Sequence, residues 1–386
     1  MIFFLTGATA FDYSYCAPNY PSYKPNQEAD LIQVQLLTRH GARTPLHLSK
    51  NYSNHWKCMY DDMRSAGNDF LQPYHVHVSY GSSIFVGNCV YGQLIHTGKA
   101  GLAKLGKYLK KIYIDQLKFI PPNLDQETVK FRTTQAHRTI NSQISLISGM
   151  YPHASNVEMY IADKNYDPWR RTSLLCPKFA KLQKTIPEDN HITNQTLQDK
   201  ISNILGVGWS STNDVMTSAL CNNYKLPPNI TMKDVDDAIE LKTKQMQFFY
   251  SHSDVFPLFF SFCASEMVNE MLKRMNGDSN TKFIHWSAHD GNILGYLGLL
   301  GYTDNKWPPY GSYILTELLR FRSNGTYIVQ FRYNGKLLKI PRFKNETFVY
   351  FNDFLKFLTS SMPKFLNECD FNTTQFKMSD TFYVSA

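Results

Sequence analysis

The stretch Arg39-His40-Gly41-Ala42-Arg43-Thr44-Pro45 constrains this chain more than any other. It follows Leu31-Ile32-Gln33-Val34-Gln35-Leu36-Leu37, where apolar residues and two glutamines alternate as in a buried strand. A strand ending in Arg-His-Gly-x-Arg-x-Pro places an imidazole and two guanidiniums outside the carboxyl end of a strand, where an open α/β sheet binds its ligand. Gly41 permits a tight turn with close backbone approach, and Pro45 stiffens the exit. Arginine forks match the oxygens of a phosphate, and two of them around one histidine point to a histidine that attacks phosphorus. The plainer alternative is a basic strand end that binds a passing anion.

Two further junctions share this pattern. Arg132 closes a short strand from Thr128 to Thr134, followed by a helix from about Ala136 to Met150. Trp286-Ser287-Ala288-His289-Asp290-Gly291-Asn292 lies between a strand at Lys282 to Trp286 and a helix at Gly291 to Leu300. Taken singly, Arg132 is a solvated strand-end arginine and Asp290 a helix N-cap. The weight lies in all three falling at one kind of junction.

The remaining pattern supplies the architecture. Strand signals at Val157 to Ala162, Tyr313 to Phe321 and Thr326 to Tyr333 combine with helices at Thr97 to Tyr113, Ser265 to Met275 and Phe348 to Leu358. Ser323-Asn324-Gly325 reads as the turn of a hairpin. Between residues 163 and 264 period-2 patterning disappears, and helices are expected near Thr196 to Leu205 and Met232 to Tyr250. The expectation is a three-layer α/β sandwich around a central, mainly parallel mixed sheet, plus a smaller, mostly helical inserted domain. Residues 28–162 and 265–386 form the α/β domain, with an irregular 46–92 excursion over the site, and 163–264 form the cap. Residues 11–28 read as an arm draped on the surface.

A chain of 386 residues, 43% hydrophobic and 19% charged, is an ordinary globular protein. Its net charge of +8 is spread along the sequence without a basic block or nucleic-acid module, so a small anionic substrate is the expected partner. The sequence gives no oligomeric state and no bilayer-spanning run. Residues 1–10 read as a signal peptide or its remnant, with Ile2-Phe3-Phe4-Leu5 leading to small residues at Ala8 and Ala10. Six sequons, at Asn51, Asn194, Asn229, Asn324, Asn345 and Asn372, also fit a secreted or lumenal chain. Seven cysteines without a Cys-x-x-Cys pair read as disulfides plus one odd thiol, with no metal and no cofactor expected. Cys58 and Cys89 bracket the excursion and are expected to pair. Cys221–Cys263 is a third expected pair, leaving Cys16 unpaired.

The chain resembles the histidine acid phosphatase family, within the phosphoglycerate-mutase-like superfamily. The resemblance runs through the Arg39 to Pro45 stretch, Tyr91-Gly92-Gln93-Leu94 with Thr97-Gly98, Arg132-Thr133-Thr134 with Arg138-Thr139, Ser287 to Asp290, and Leu315 to Leu318. By that resemblance His40 is the nucleophile and passes through a phosphohistidine. It also implies that Arg39, Arg43, Arg132 and His289 bind the phosphoryl oxygens, that Asp290 protonates the leaving group, and that Cys176 pairs with Cys369. Gly291 departs from the pattern, since many members carry threonine there. Two alternatives stay open: a phosphoglycerate-mutase-like phosphotransferase, and a secreted glycoprotein that binds a phosphorylated ligand without turnover.

Overall fold

In the computed structural model, residues 13–369 are described apart from 48, 53, 55, 57–88, 166 and 190. Strand β1 (Ala29–Arg39) lies at the centre of the sheet, parallel to β4 (Phe283–Ala288) and antiparallel to β5 (Tyr313–Phe321). Beyond β4 come β2 (Val129–Thr133) and β3 (Tyr160–Ile161), which complete a parallel half. Beyond β5 come β6 (Tyr327–Tyr333), β7 (Lys336–Leu337) and β8 (Val349–Tyr350), all antiparallel to their neighbours. The sheet order is β3-β2-β4-β1-β5-β6-β7, with β8 also on β6.

Both faces of the central strands are covered, so that even their polar residues, among them Gln33, Gln35 and Glu317, are buried. On one face α1 (His96–Leu109) and α2 (His137–Met150) bring Leu102, Leu105 and Leu146 against Val34, Leu36 and Phe131. These two helices approach closely because Gly106 and Gly149 face each other's backbone; a Cβ on Gly106 would lie 2.1 Å from the Leu146 carbonyl oxygen. On the other face α8 (Phe256–Asn276), α9 (Asp290–Leu300) and α10 (Phe351–Glu368) bury Phe260, Met267, Leu297 and Phe354 against Leu37, Ile284, Trp286 and Phe331. The result is the expected three-layer arrangement. Helices α3 (Pro168–Leu175), α4 (Pro177–Asp189), α5 (Gln195–Leu205), α6 (Trp209–Cys221) and α7 (Met232–Ser251) follow β3, and α5, α6 and α7 share a separate apolar cluster around Ile201, Val215 and Val235.

Some boundaries differ from the periodicity. α8 begins at Phe256 rather than Ser265, so the expected edge of the inserted segment falls inside one continuous helix. The first part of α8 is apolar on most sides because it is buried between α9 and α7, which hides a helical period. α1 passes into a π-helical turn over Lys110–Gln116, and only Tyr160–Ile161 of the Val157 to Ala162 run pairs with the sheet.

Cys176 and Cys369 are bonded, as expected. Cys221 instead pairs with Cys16, and Cys263 is a free, buried thiol. Cys263 projects from α8 into the sheet-facing core, whereas Cys221 ends α6 beside the short 3-10 turn Tyr13–Cys16. The arm is therefore tethered to α6 and is not merely draped. The expected Cys58–Cys89 pair lies outside the described residues because Cys58 does; so do Asn372 and residues 1–10. The asparagines of the other five sequons are all exposed.

Candidate active site

Parallel pairing brings the first and third junctions side by side. Arg39 is in register with Ala288, and the His40 N–H donates to the Ala288 carbonyl at 3.1 Å. One residue further on, His40 and His289 face each other with ring centroids 5.8 Å apart. The chain passes close to α1 here because Gly41 meets Gly98 in its first turn. A Cβ on Gly41 would lie 2.5 Å from the Gly98 carbonyl oxygen, and one on Gly98 would lie 2.1 Å from that of Ala42. The Gly41 N–H donates to Ser142 Oγ of α2 at 3.0 Å.

His40 is buried, and its Nδ1 lies 2.9 Å from the Gly41 carbonyl oxygen. A carbonyl only accepts, so Nδ1 carries the proton and Nε2 keeps its lone pair. Burial, followed by the charges of Arg43, Arg138 and Arg39, holds its pKa well below the usual histidine value. Both effects favour the neutral imidazole.

Three arginines surround it. Arg39 is fixed by the Pro308 carbonyl at 2.5 Å, by the Tyr310 ring at 4.1 Å and by Asp290 Oδ2 at 3.1 Å. Arg43 pairs with Asp214 of α6 at 2.7 Å, and the same carboxylate accepts the Leu46 N–H at 2.7 Å. Arg138, in the first turn of α2, approaches His289 Nδ1 at 3.3 Å. A guanidinium only donates, so His289 accepts through Nδ1 and donates Nε2–H to Thr134 Oγ1 at 3.0 Å. Burial and then Arg43 lower the Arg138 pKa to about 9, which leaves it charged in acid. The Nε–H groups of Arg39, Arg43 and Arg138 are all buried without an acceptor among the described residues. Such orphaned donors are costly, and all three arginines line one cavity, where they concentrate positive charge.

Arg132 is not part of this group. In β2 it is in register with Trp286, short of the strand ends, and it points to the sheet face under α3 and α8. There it forms a two-pronged pair with Asp167 at 2.6 and 3.2 Å, and lies over the Trp169 ring. Arg132, expected to bind the phosphoryl group, does not line the pocket, whereas Arg138 joins Arg39 and Arg43 in its lining. The signal for it was the Arg138-Thr139 pair of the same motif, which the first helical turn swings back over the sheet edge. His289 does line the pocket, but with both ring nitrogens engaged it orients Arg138 as well as facing the cavity.

Asp290 is the first residue of α9, and its side chain is 29% exposed to the pocket. Burial raises its pKa, but Arg39, Arg43 and the Gly291 N–H outweigh this and hold the carboxyl below the usual carboxylate range. The cavity, about 770 Å³, extends from these groups to a wall of Phe179, Tyr250, Phe259 and Trp307 and to polar Ser210, Asn213 and Lys242 of the helical segment. Among the described residues no cluster of side chains is suited to a metal ion.

The model of the histidine phosphatase superfamily (branch 2) matches residues 30–334. Counting factor 60 of Dictyostelium discoideum is 29% identical over 352 residues, covering 83% of this chain and 84% of that one. Lysophosphatidic acid phosphatase type 6 of Homo sapiens is 24% identical, covering 81% and 79%. Among solved structures, Hafnia alvei phytase superposes with a TM-score of 0.60 over 87% of this chain and 98% of that one, at 13% identity.

Proposed function

We propose, from the premise that this chain belongs to branch 2 of the histidine phosphatase superfamily, that it hydrolyses phosphate monoesters through a phosphohistidine on His40. The observation that carries this reading is the set of three buried arginine Nε–H donors without acceptors around a neutral, correctly tautomeric histidine. Transferring phosphoryl groups spread negative charge over their outer oxygens, so catalysis is mostly positioning and charge stabilisation. Arg39, Arg43 and Arg138 supply both here. His40 Nε2 attacks phosphorus while Asp290 gives a proton to the departing oxygen. Water then attacks the phosphohistidine, with Asp290 taking its proton. The arginines hold Asp290 ionised in the free enzyme. A bound phosphoryl group neutralises their charge and brings its own, which raises the carboxyl toward its acid form. The disulfides Cys16–Cys221 and Cys176–Cys369 favour a secreted or lumenal compartment, and the exposed sequon asparagines are compatible with glycans.

Hydrolysis of p-nitrophenyl phosphate between pH 4 and 8, with release of inorganic phosphate, tests the activity; release only onto an added acceptor would favour a phosphotransferase. The same assay separates the two arginines. Arg138→Ala is expected to lower kcat/KM by roughly 10²–10³, as losing a charge-stabilising donor does. Arg132→Ala leaves Asp167, which is fully buried, without its cation; it is expected to cost about 3–5 kcal/mol of stability while the folded enzyme stays active. Reversal of these two outcomes would restore Arg132 to the site.

A further inference from the structure

The glycine after Asp290 requires an explanation. Gly291 lies within α9 and is not among the residues with positive φ, so nothing in its backbone calls for glycine. Its surroundings do. A Cβ at this position would lie 2.9 Å from Tyr250 Oη, while the next atoms, Phe259 Cζ and Tyr250 Cζ, stand at ordinary contact distances of 3.6 and 3.7 Å. Gly291 therefore makes room for one atom, the Tyr250 hydroxyl oxygen. Further along the same helix face, a Cβ on Gly295 would meet the Phe259 ring at 2.4 Å and one on Gly298 the Tyr250 carbonyl oxygen at 2.4 Å. The end of α7 and the start of α8 are thus seated in a groove of α9, and the position of Tyr250 is fixed.

Tyr250 is 6% exposed and lines the catalytic cavity next to Asp290. Its hydroxyl has no hydrogen-bond partner among the described residues. Burial, with the Asp290 charge adding to it, raises its pKa well above the ordinary phenol value, so the hydroxyl stays protonated and can donate. Trp307, whose Nε1–H is buried without an acceptor among the described residues, belongs to the same wall. Phe179 and Phe259 stack beside them at 5.2 Å. An unpartnered Tyr250 hydroxyl against Gly291, next to the proposed proton donor, suits a leaving group that carries an acceptor of its own.

We propose that Tyr250, seated against Gly291, is a specificity-determining residue that hydrogen-bonds a hydroxyl next to the ester oxygen of the leaving group, favouring phosphates of polyols or sugars. The inference rests on the phosphatase reading above. Its phenol contacts the leaving group and not the phosphoryl group, so its removal acts on some substrates and not on others.

The test compares glycerol 2-phosphate with isopropyl phosphate, whose leaving group has the same branching but no hydroxyls. Tyr250→Phe keeps the ring and its packing. It is expected to lower kcat/KM on glycerol 2-phosphate roughly tenfold, the worth of one neutral hydrogen bond, and to leave isopropyl phosphate within about twofold. Gly291→Ala displaces the hydroxyl and should reproduce that selective loss. Combined with Tyr250→Phe it should add nothing, since the remaining contacts at 3.6 and 3.7 Å accept a methyl group. Melting temperature follows the same logic: Gly291→Ala should raise it when combined with Tyr250→Phe and fail to do so with the tyrosine present. Equal losses on both substrates, no loss on either, or additive effects of the two changes would overturn the inference. Wild-type protein inactive on both esters would overturn the phosphatase reading, and this inference with it.

Discussion

His40→Ala is expected to lower kcat/KM by roughly 10⁴–10⁶ at every pH, the scale on which removal of a nucleophile acts. The loss should be independent of the leaving group, because no ester can transfer its phosphoryl group without an acceptor. The fold should survive. His40 sits at a strand end in a polar cavity, and the Gly41 turn is held separately by Ser142 and by the packing of Gly98. Arg39, Arg43 and Arg138 remain, so the variant should still bind phosphate or vanadate weakly. Burial and the charges of three guanidiniums push the His40 imidazole toward its neutral form. Acid should therefore not inactivate the wild type through His40 in the range where free histidine titrates. Activity of His40→Ala within about tenfold of wild type would mean that another group attacks.

Asp290→Asn is expected to discriminate between esters. An alkoxide is a strong base and leaves poorly, whereas nitrophenolate leaves nearly unaided. Loss of the proton donor should lower kcat/KM on glycerol 2-phosphate by about 10²–10⁴, the contribution of general acid catalysis. On p-nitrophenyl phosphate the loss should be under about tenfold. The pH profile carries the sign. Arg39 and Arg43 hold the free-enzyme carboxyl low, and bound substrate raises it, so the basic limb of kcat on alkyl esters should lie at higher pH than that of kcat/KM. That limb should disappear in the variant. If Asp290 only caps α9, asparagine would cap as well, stability would change by about 1 kcal/mol or less, and the ratio of alkyl to aryl activity would stay constant.

What was legible in the sequence lies within single junctions. The β1 end carries Arg39, His40 and Arg43 within five positions, and the β4 end carries His289 and Asp290 side by side. A strand period and a glycine turn suffice to place them, and the parallel register of β1 with β4 then brings them together. Arg132 and Arg138 show where this kind of reading stops. Both lie in one motif, but which one reaches the cavity depends on strand register and on the swing of the first turn of α2. A one-residue change of parity sends a strand side chain to the opposite face of the sheet. Asp214, Tyr250 and Trp307 were invisible for a different reason: each belongs to a segment far along the chain, and only tertiary packing brings it to the pocket. The same holds for Cys16 and Cys221, separated by 205 residues. Gly291 was visible as a departure from the family pattern, but its meaning depended on the Tyr250 hydroxyl beside it.

The central claim is that phosphorus is transferred to His40, and trapping the intermediate tests it most directly. Wild-type enzyme mixed with p-nitrophenyl phosphate, denatured within milliseconds in alkali to spare an acid-labile phosphoramidate, and mapped by peptide mass spectrometry should carry one phosphoryl group on His40. That group should be absent from His40→Ala and should accumulate in Asp290→Asn, where water attack lacks its base. A phosphoryl group on another residue, or phosphate release at full rate from an enzyme that never becomes phosphorylated, would contradict the account.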